Sequence, residues 1–323
     1  MSALAPVARP TIIAANLARH AEAARGAYAP NTERALRADI AVFTGWCADA
    51  DLVPLPAAVA SVVAFIDAMG DLKAPATVRR YTSSIGTLHR AAGLESPTGS
   101  LEVTLAIKRL HRAKGRAQSQ AVPLTRAKVE RLLDGAEGAG EGPLKALRDR
   151  AMLGLAYDTL ARRSELAALL LSDLEHAPDG SGVITIRRGK TDQDGTGSVR
   201  YVAPDTMRDV LAWTAAAGVA DGPLLRSVRK GGRIGGAIDA GDVARTFKRM
   251  ADAAGLKPRD VARISGHSTR VGGASDMVEC GIGLPAVMQA GGWRTAEMVS
   301  RYTRKISARR GAAAQLATTQ GRA

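Results

Sequence analysis

The chain has 323 residues, 46% hydrophobic and only 3% aromatic, with a formal net charge of +14. That apolar content excludes a disordered chain. The length allows two domains with separate cores, and the shortage of aromatics leaves Leu, Val, Ile and Ala to fill them, which suits closely packed helices. A cationic excess spread along the chain calls for a polyanionic partner, nucleic acid first, and two isolated cysteines, Cys47 and Cys280, exclude a disulfide or zinc framework.

Residues 1–28 are Ala-rich and interrupted by Pro6 and Pro10, which predicts a partly ordered lead-in without the pattern of a signal peptide. No later stretch is apolar for long enough to span a membrane, so a soluble, cytoplasmic, DNA-associated protein is expected. With Thr32 as N-cap, Leu36, Ile40, Phe43 and Cys47 recur at helical spacing to about Ala50, and Arg34 lies off that stripe. A second helix follows Pro56 and buries Val59, Val62, Val63 and Ile66, with Gly70 near its end. The third opens near Ala76, buries Val78, Tyr81, Ile85 and Leu88, and stops at Gly93. Its opposite face offers Arg79, Arg80, Ser83 and Arg90, groups able to meet phosphates and base edges. A solvated face has the same pattern.

A fourth helix, from about Ser100 to His111, closes a helical DNA-binding domain over residues 29–112. Residues 113–122 are polar and basic and form the expected linker, and a second domain occupies residues 123–323. There Thr125 caps a short helix, a Gly-rich loop spans residues 135–142, and Leu144 to Thr159 forms the next helix. Val183 to Ile186 and Ser198 to Val202 are β-branched runs about a turn-rich segment, an antiparallel hairpin with Lys190 where the first strand meets the loop. Helices are expected from Pro204 to Gly218 and from Asp239 to Gly255, the latter with a basic face of Arg245, Lys248 and Arg249. Arg226 to Gly236 between them predicts a Gly-rich basic loop.

The last third carries the chemistry. His267 and Arg270 share a face if a helix opens at Ser265 or Gly266, and its amino-terminal dipole then favours a bound phosphate. Trp293 precedes a helical stretch, Glu297 to Tyr302, that brings a phenol toward the same place, and a further short helix is expected from Ser307 to Leu316.

His-x-x-Arg, then Gly291-Gly292-Trp293, then Tyr302 resembles the carboxyl-terminal signature of the tyrosine recombinase (phage integrase) family, and Thr77-Val78-Arg79-Arg80 is similar to its DNA-clamping domain. The resemblance spans about Thr32 to Tyr302. It implies a mainly α fold with a small antiparallel β-sheet, in which an amino-terminal helical bundle and a catalytic domain form a C-shaped clamp on duplex DNA. It also implies a homotetramer on paired, roughly palindromic sites, with each protomer passing its carboxyl-terminal segment to a neighbour.

By that resemblance Tyr302 is the nucleophile, His267 takes its proton, Arg162 and Arg270 neutralise the phosphate, and Lys190 protonates the leaving oxygen. Trp293 holds a phosphate oxygen and packs the nucleophile's helix, while Glu165 orients its neighbours. Arg163 stands where the family has an apolar residue, so two arginines compete. Arg162 is chosen because it lies three residues before Glu165. No cofactor or metal is expected, since the carboxylate cluster of a two-metal nuclease is missing from the sequence. The expected DNA contacts are Arg34, Arg79, Arg80, Arg90, Arg245 and Lys248. The rival readings are a type IB topoisomerase, which relaxes DNA as a monomer, and a DNA-binding descendant of the family that has lost catalysis.

Overall fold

The computed structural model describes residues 10–116, 120–139, 142–187 and 197–322. The chain divides into two compact units, Met1–Ser119 and Gln120–Ala323.

In the first unit, helices α1 (Pro10–Ala23), α2 (Pro30–Asp49), α3 (Val59–Leu72), α4 (Pro75–Ala91) and α5 (Leu101–Lys114) follow one another. The expected lead-in is corrected by α1. Pro10 begins that helix rather than interrupting it, since proline's fixed φ suits a first helical turn. It buries no residue fully, but Ile13, Asn16, Leu17 and His20 form a half-buried stripe, and Asn16 donates to the Ala92 carbonyl at 2.9 Å. Thr32 is likewise not the cap of α2. Ala29 takes that place, with Pro30 setting the first turn.

Four of the chain's aromatics meet in this unit. Phe43 and Phe65 meet edge to face at 5.0 Å, as do Trp46 and Phe65 at 5.3 Å, and Phe65 and Tyr81 lie tilted at 5.9 Å, so a small set of rings closes the core between α2, α3 and α4.

The second unit runs α6 (Arg126–Asp134), α7 (Pro143–Asp158), α8 (Arg163–Ala167), β1 (Leu174–His176), β2 (Gly182–Ile186), β3 (Ser198–Val202), α9 (Pro204–Ala217), β4 (Arg226–Val228) and β5 (Ile234–Ala237). It continues through α10 (Ala240–Ala253), α11 (Pro258–Arg263), α12 (Ser268–Glu279), α13 (Leu284–Gly291), α14 (Ala296–Arg310) and α15 (Ala312–Thr319). The fold is mostly helical with small antiparallel sheets, as expected. The hairpin β2–β3 gains β1 on its other edge, giving the order β1-β2-β3, and β4 pairs with β5. The basic loop expected over residues 226–236 is therefore a second hairpin in part. Alternation in so short a Gly-rich segment was too weak to show it.

Two further corrections concern helix ends. Thr125 makes no side-chain cap. The first N–H of α6, from Arg126, is satisfied instead by Asp276 of α12 at 2.7 Å. At the carboxyl end, α14 continues past Tyr302 to Arg310, because nothing in Thr303 to Arg309 breaks a helix, and α15 is separate.

The core of this unit is built from α6, α7, α9, α10 and the inner face of β2, with Trp213 fully buried and donating to the Leu224 carbonyl at 2.8 Å. A smaller cluster, Leu160, Ala274, Val287, Trp293 and Val299, lies beneath the carboxyl-terminal helices. It joins α12, α13 and α14 into one platform.

Candidate active site

Tyr302 lies on α14 behind two buried residues of the same helix, Val299 and Thr303, which fix the face it presents. The phenol is half-buried, and its hydroxyl is 3.0 Å from His267 Nε2, the two rings meeting at 5.9 Å and 70°. His267 is the N-cap position of α12. Its backbone is set by a serine turn: Ser265 Oγ accepts from His267 N at 3.2 Å, and buried Ser268 Oγ accepts from Ser265 N at 3.0 Å. The helix thus opens two or three residues later than expected, which moves His267 from inside a helix to its entrance.

One turn on, Arg270 is 2% exposed. It donates to the Leu160 carbonyl and, at 3.0 Å, to that of Gly291, and its guanidinium lies 4.7 Å from the centre of the Trp293 ring. Among the described residues Nε has no partner. Burial, and after it the charge of Arg162, bring this guanidinium down to about 10, while Glu165 and Tyr302 oppose the fall. It stays cationic at neutral pH.

The carbonyl of Leu160 is aimed by an uncommon conformation, φ +51° in a buried non-glycine residue. A β-carbon on Gly291 would fall inside the Trp293 ring. That glycine is what lets the indole, 7% exposed, lie 5.8 Å from the Tyr302 ring while covering Arg270.

Arg162 is the N-cap of α8. Its guanidinium donates to Glu165 at 2.6 Å and its backbone N–H to the other oxygen of the same carboxylate at 2.8 Å. Glu165 is 8% exposed and holds the side chain down, whereas Arg163 is exposed beside Gly266. The electrostatic neighbours of Arg270 are Arg162, Glu165, Tyr302 and Arg200, so the platform gathers five of the seven expected catalytic residues directly and Glu165 through Arg162. Lys190 lies outside the described residues.

Arg200 went unrecognised in the sequence. Its position on β3 carries no motif, and only the three-dimensional return of the strand brings it to α13, where it donates to the carbonyls of Gln289 and Ala290.

The expected DNA contacts differ in freedom. Arg34, Arg79 and Arg90 are exposed, Arg34 bonding the Asn31 side chain at 2.8 Å and Arg90 that of Thr87 at 3.1 Å. Arg80 pairs at 2.6 Å with the buried Asp39, which also accepts from Ser84 at 2.9 Å. Arg245 is exposed and paired to Asp242, and Lys248 spends its ammonium on the Ala262 carbonyl at 3.0 Å. Among the described residues no group of three His, Cys, Asp or Glu is placed to hold a metal ion, and no helix is long and apolar enough to cross a membrane.

A phenol against an imidazole, with cations fixed by carboxylate and carbonyl groups around it, is suited to moving a phosphoryl group between an alcohol and the protein, which is the chemistry of DNA strand-transfer enzymes that act through tyrosine. The phage integrase family model matches residues 123–309, and the chain belongs to that family of DNA-cleaving and rejoining recombinases.

It is similar to recombinase cre of Escherichia phage P1, 30% identical over 254 residues that cover 74% of each chain. It is also similar to an integrase/recombinase xerD homolog of Selenomonas ruminantium, 29% identical over 285 residues, 85% of this chain and 81% of the relative. Among solved structures, the Tn1549 transposon integrase in complex with transposon right-end DNA shares the fold with a TM-score of 0.62 at 14% identity, over 91% of this chain and 98% of that one. A lambda integrase dimer bound to a COC' core site does so with a TM-score of 0.61 at 17% identity, over 90% and 76% of the two chains. Family membership displaces the topoisomerase reading.

Proposed function

We propose that the chain is a site-specific recombinase in which Tyr302 attacks a DNA phosphodiester and becomes a 3′-phosphotyrosine. The phenol oxygen bonds to phosphorus, the bond from phosphorus to the 5′ oxygen breaks, the phenolic proton passes to His267, and the 5′ oxygen takes a proton from Lys190. The observation that carries this reading is the 3.0 Å approach of Tyr302 to His267. A phenol must lose its proton as it attacks, and so needs a proton acceptor within hydrogen-bond reach.

Arg162 and Arg270 offset the charge gathering on the phosphate oxygens, and their value is preorganisation. Arg162 is locked by Glu165 and Arg270 by two carbonyls, so neither must be ordered as the reaction proceeds. Trp293 keeps water from Arg270 and braces the ring of Tyr302. The phosphotyrosine retains the energy of the broken bond, and a 5′ hydroxyl from a second duplex reverses the step on a new strand, giving a Holliday junction. Two solved relatives, bound to palindromic substrate DNA in one case and tetrameric on a Holliday junction in the other, support a tetramer on paired, roughly palindromic sites by analogy of fold. Exposed Arg34, Arg79 and Arg90 are suited to duplex contact by the unit that precedes the linker, and work on cytoplasmic DNA follows from the same reading.

The test is selection of a binding duplex from random DNA by the Tyr302→Phe protein, followed by incubation of that duplex, nicked to trap intermediates, with the unsubstituted protein. A protein–DNA adduct resistant to detergent supports the proposal. Tight binding without an adduct supports the reading of a descendant that has lost catalysis.

A further inference from the structure

We propose that Arg200 is a positioning residue for strand cleavage, holding the turn that seats both Arg270 and Trp293; this rests on the function proposed above.

Strand β3 presents Val199 and Tyr201 outward, each 58% exposed, so Arg200 between them points to the other side of the sheet. There it meets the carboxyl end of α13. The last carbonyls of a helix have no partners within it and carry the negative end of its dipole, so a guanidinium is suited to them in both hydrogen bonding and charge. One nitrogen of Arg200 donates to the carbonyls of Gln289 and Ala290. The next carbonyl, that of Gly291, accepts from Arg270 at 3.0 Å. Three consecutive carbonyls therefore bracket two guanidinium groups that come from different elements, β3 and α12.

The bracket needs its glycines. Gly292 has φ +62° and ends α13, and a β-carbon there would lie 2.5 Å from Nη2 of Arg200. The residue after it is Trp293, whose N–H closes the turn on Met288 at 2.9 Å and whose ring covers Arg270. A shift of this turn therefore moves the carbonyl that holds Arg270 and the indole that shields it together. Arg200 also ties the β2–β3 hairpin, whose strands flank Lys190 in sequence, to that turn. Nη1 is spent on two backbone carbonyls and Nη2 lies against Gly292, so the side chain is held within the protein. Its electrostatic neighbours are Glu165 and Arg162, and burial holds its guanidinium below the usual value.

The experiment compares Arg200→Met and Arg200→Lys with the unsubstituted protein on the nicked duplex selected as above. It measures the first-order rate of adduct formation at saturating protein, the Kd of the duplex over a range of salt, and thermal melting. A displacement near 1 Å at the reacting centre costs about 100-fold, so the expected result is cleavage slowed roughly 10- to 100-fold in Arg200→Met, with partial recovery in Arg200→Lys. The Kd and its salt slope stay unchanged. Should Arg200→Met fail to fold, Arg200→Lys carries the same expectation in weaker form, slower cleavage at unchanged Kd.

Two results overturn the proposal. One is an unaltered cleavage rate in a folded variant. The other is weaker binding with a salt slope reduced by about 1, the mark of a lost phosphate contact. If the unsubstituted protein forms no adduct, the proposed function fails instead, so the two failures are distinguishable.

Discussion

The hydroxyl of Tyr157 donates to Asp276 Oδ2 at 2.5 Å, and the same oxygen accepts the backbone N–H of Arg126 at 2.7 Å. Asp276 lies on α12, six residues after Arg270, and Tyr157 lies on α7, five before Arg162. One carboxylate therefore ties together the helix that carries His267 and Arg270, the approach to Arg162, and the start of α6. Replacing Asp276 by Ala leaves two donors unpaired and is expected to cost about 1–3 kcal/mol of stability, read as a lower Tm. Burial, then the bond to Asp276, raises the Tyr157 pKa above the ordinary phenol value. Its contribution is thus complete below about 10, the unfolded value, and is lost as pH rises beyond it. Tyr157→Phe should flatten the alkaline limb of a Tm-against-pH curve.

His89 provides the acid counterpart in the first unit. It is fully buried, its Nδ1 donating to the Ile85 carbonyl at 2.8 Å and its Nε2 accepting from Ala57 N at 2.9 Å, which fixes a neutral tautomer. Burial lowers its pKa from the ordinary value. The unfolded chain then binds more protons below about 6.5, so stability is complete above that pH and is lost as pH falls through the folded value. Thermal melts from pH 7 to pH 5 should show a falling Tm. His89→Leu should begin lower at pH 7 and fall less.

The adjacent arginines are separable by kinetics. Arg162 is 21% exposed and locked to Glu165, and Arg163 is exposed beside Gly266. Arg162→Ala is expected to slow adduct formation by about 100-fold or more, in the range found for loss of a single preorganised charge donor. Arg163→Ala should alter DNA affinity and its salt dependence only modestly. A rapid-quench comparison on the nicked duplex decides, and the reverse order would reassign the role.

Helix α15 buries none of its residues, and Leu316 is 53% exposed. Such a segment contributes little to its own protomer and is suited to a neighbour in a cyclic assembly. Removing residues 312–323 is expected to leave binding of one half-site unchanged and to abolish recombination between paired sites. Gel mobility and product analysis on the same substrates check this.

The long amphipathic helices of both units were legible because Leu36, Ile40, Phe43 and Cys47, or Val243, Phe247 and Met250, repeat at a helical period; all but the half-buried Leu36 and Ile40 are buried in the structure. The order of His267, Arg270, Trp293 and Tyr302 was legible as a family pattern. What sequence could not give was anything dictated by a partner distant in the chain. Arg126 finds its cap in Asp276 rather than in Thr125, the carbonyl of Leu160 is turned toward Arg270, and Arg200 reaches α13 across 89 residues. Helix α1 is not legible because Pro10 has the pattern of a break and is in fact a start. The short hairpin β4–β5 was missed because glycines hide its alternation.

The most direct test of the central claim is mass spectrometry of the trapped protein–DNA adduct after trypsin and nuclease digestion. Cleavage after Arg301 and Arg304 leaves the tripeptide Tyr302-Thr303-Arg304, and the account predicts that it carries a 3′-linked nucleotide through the tyrosine oxygen. A nucleotide found on any other residue, or an adduct that still forms with Tyr302→Phe, would contradict it.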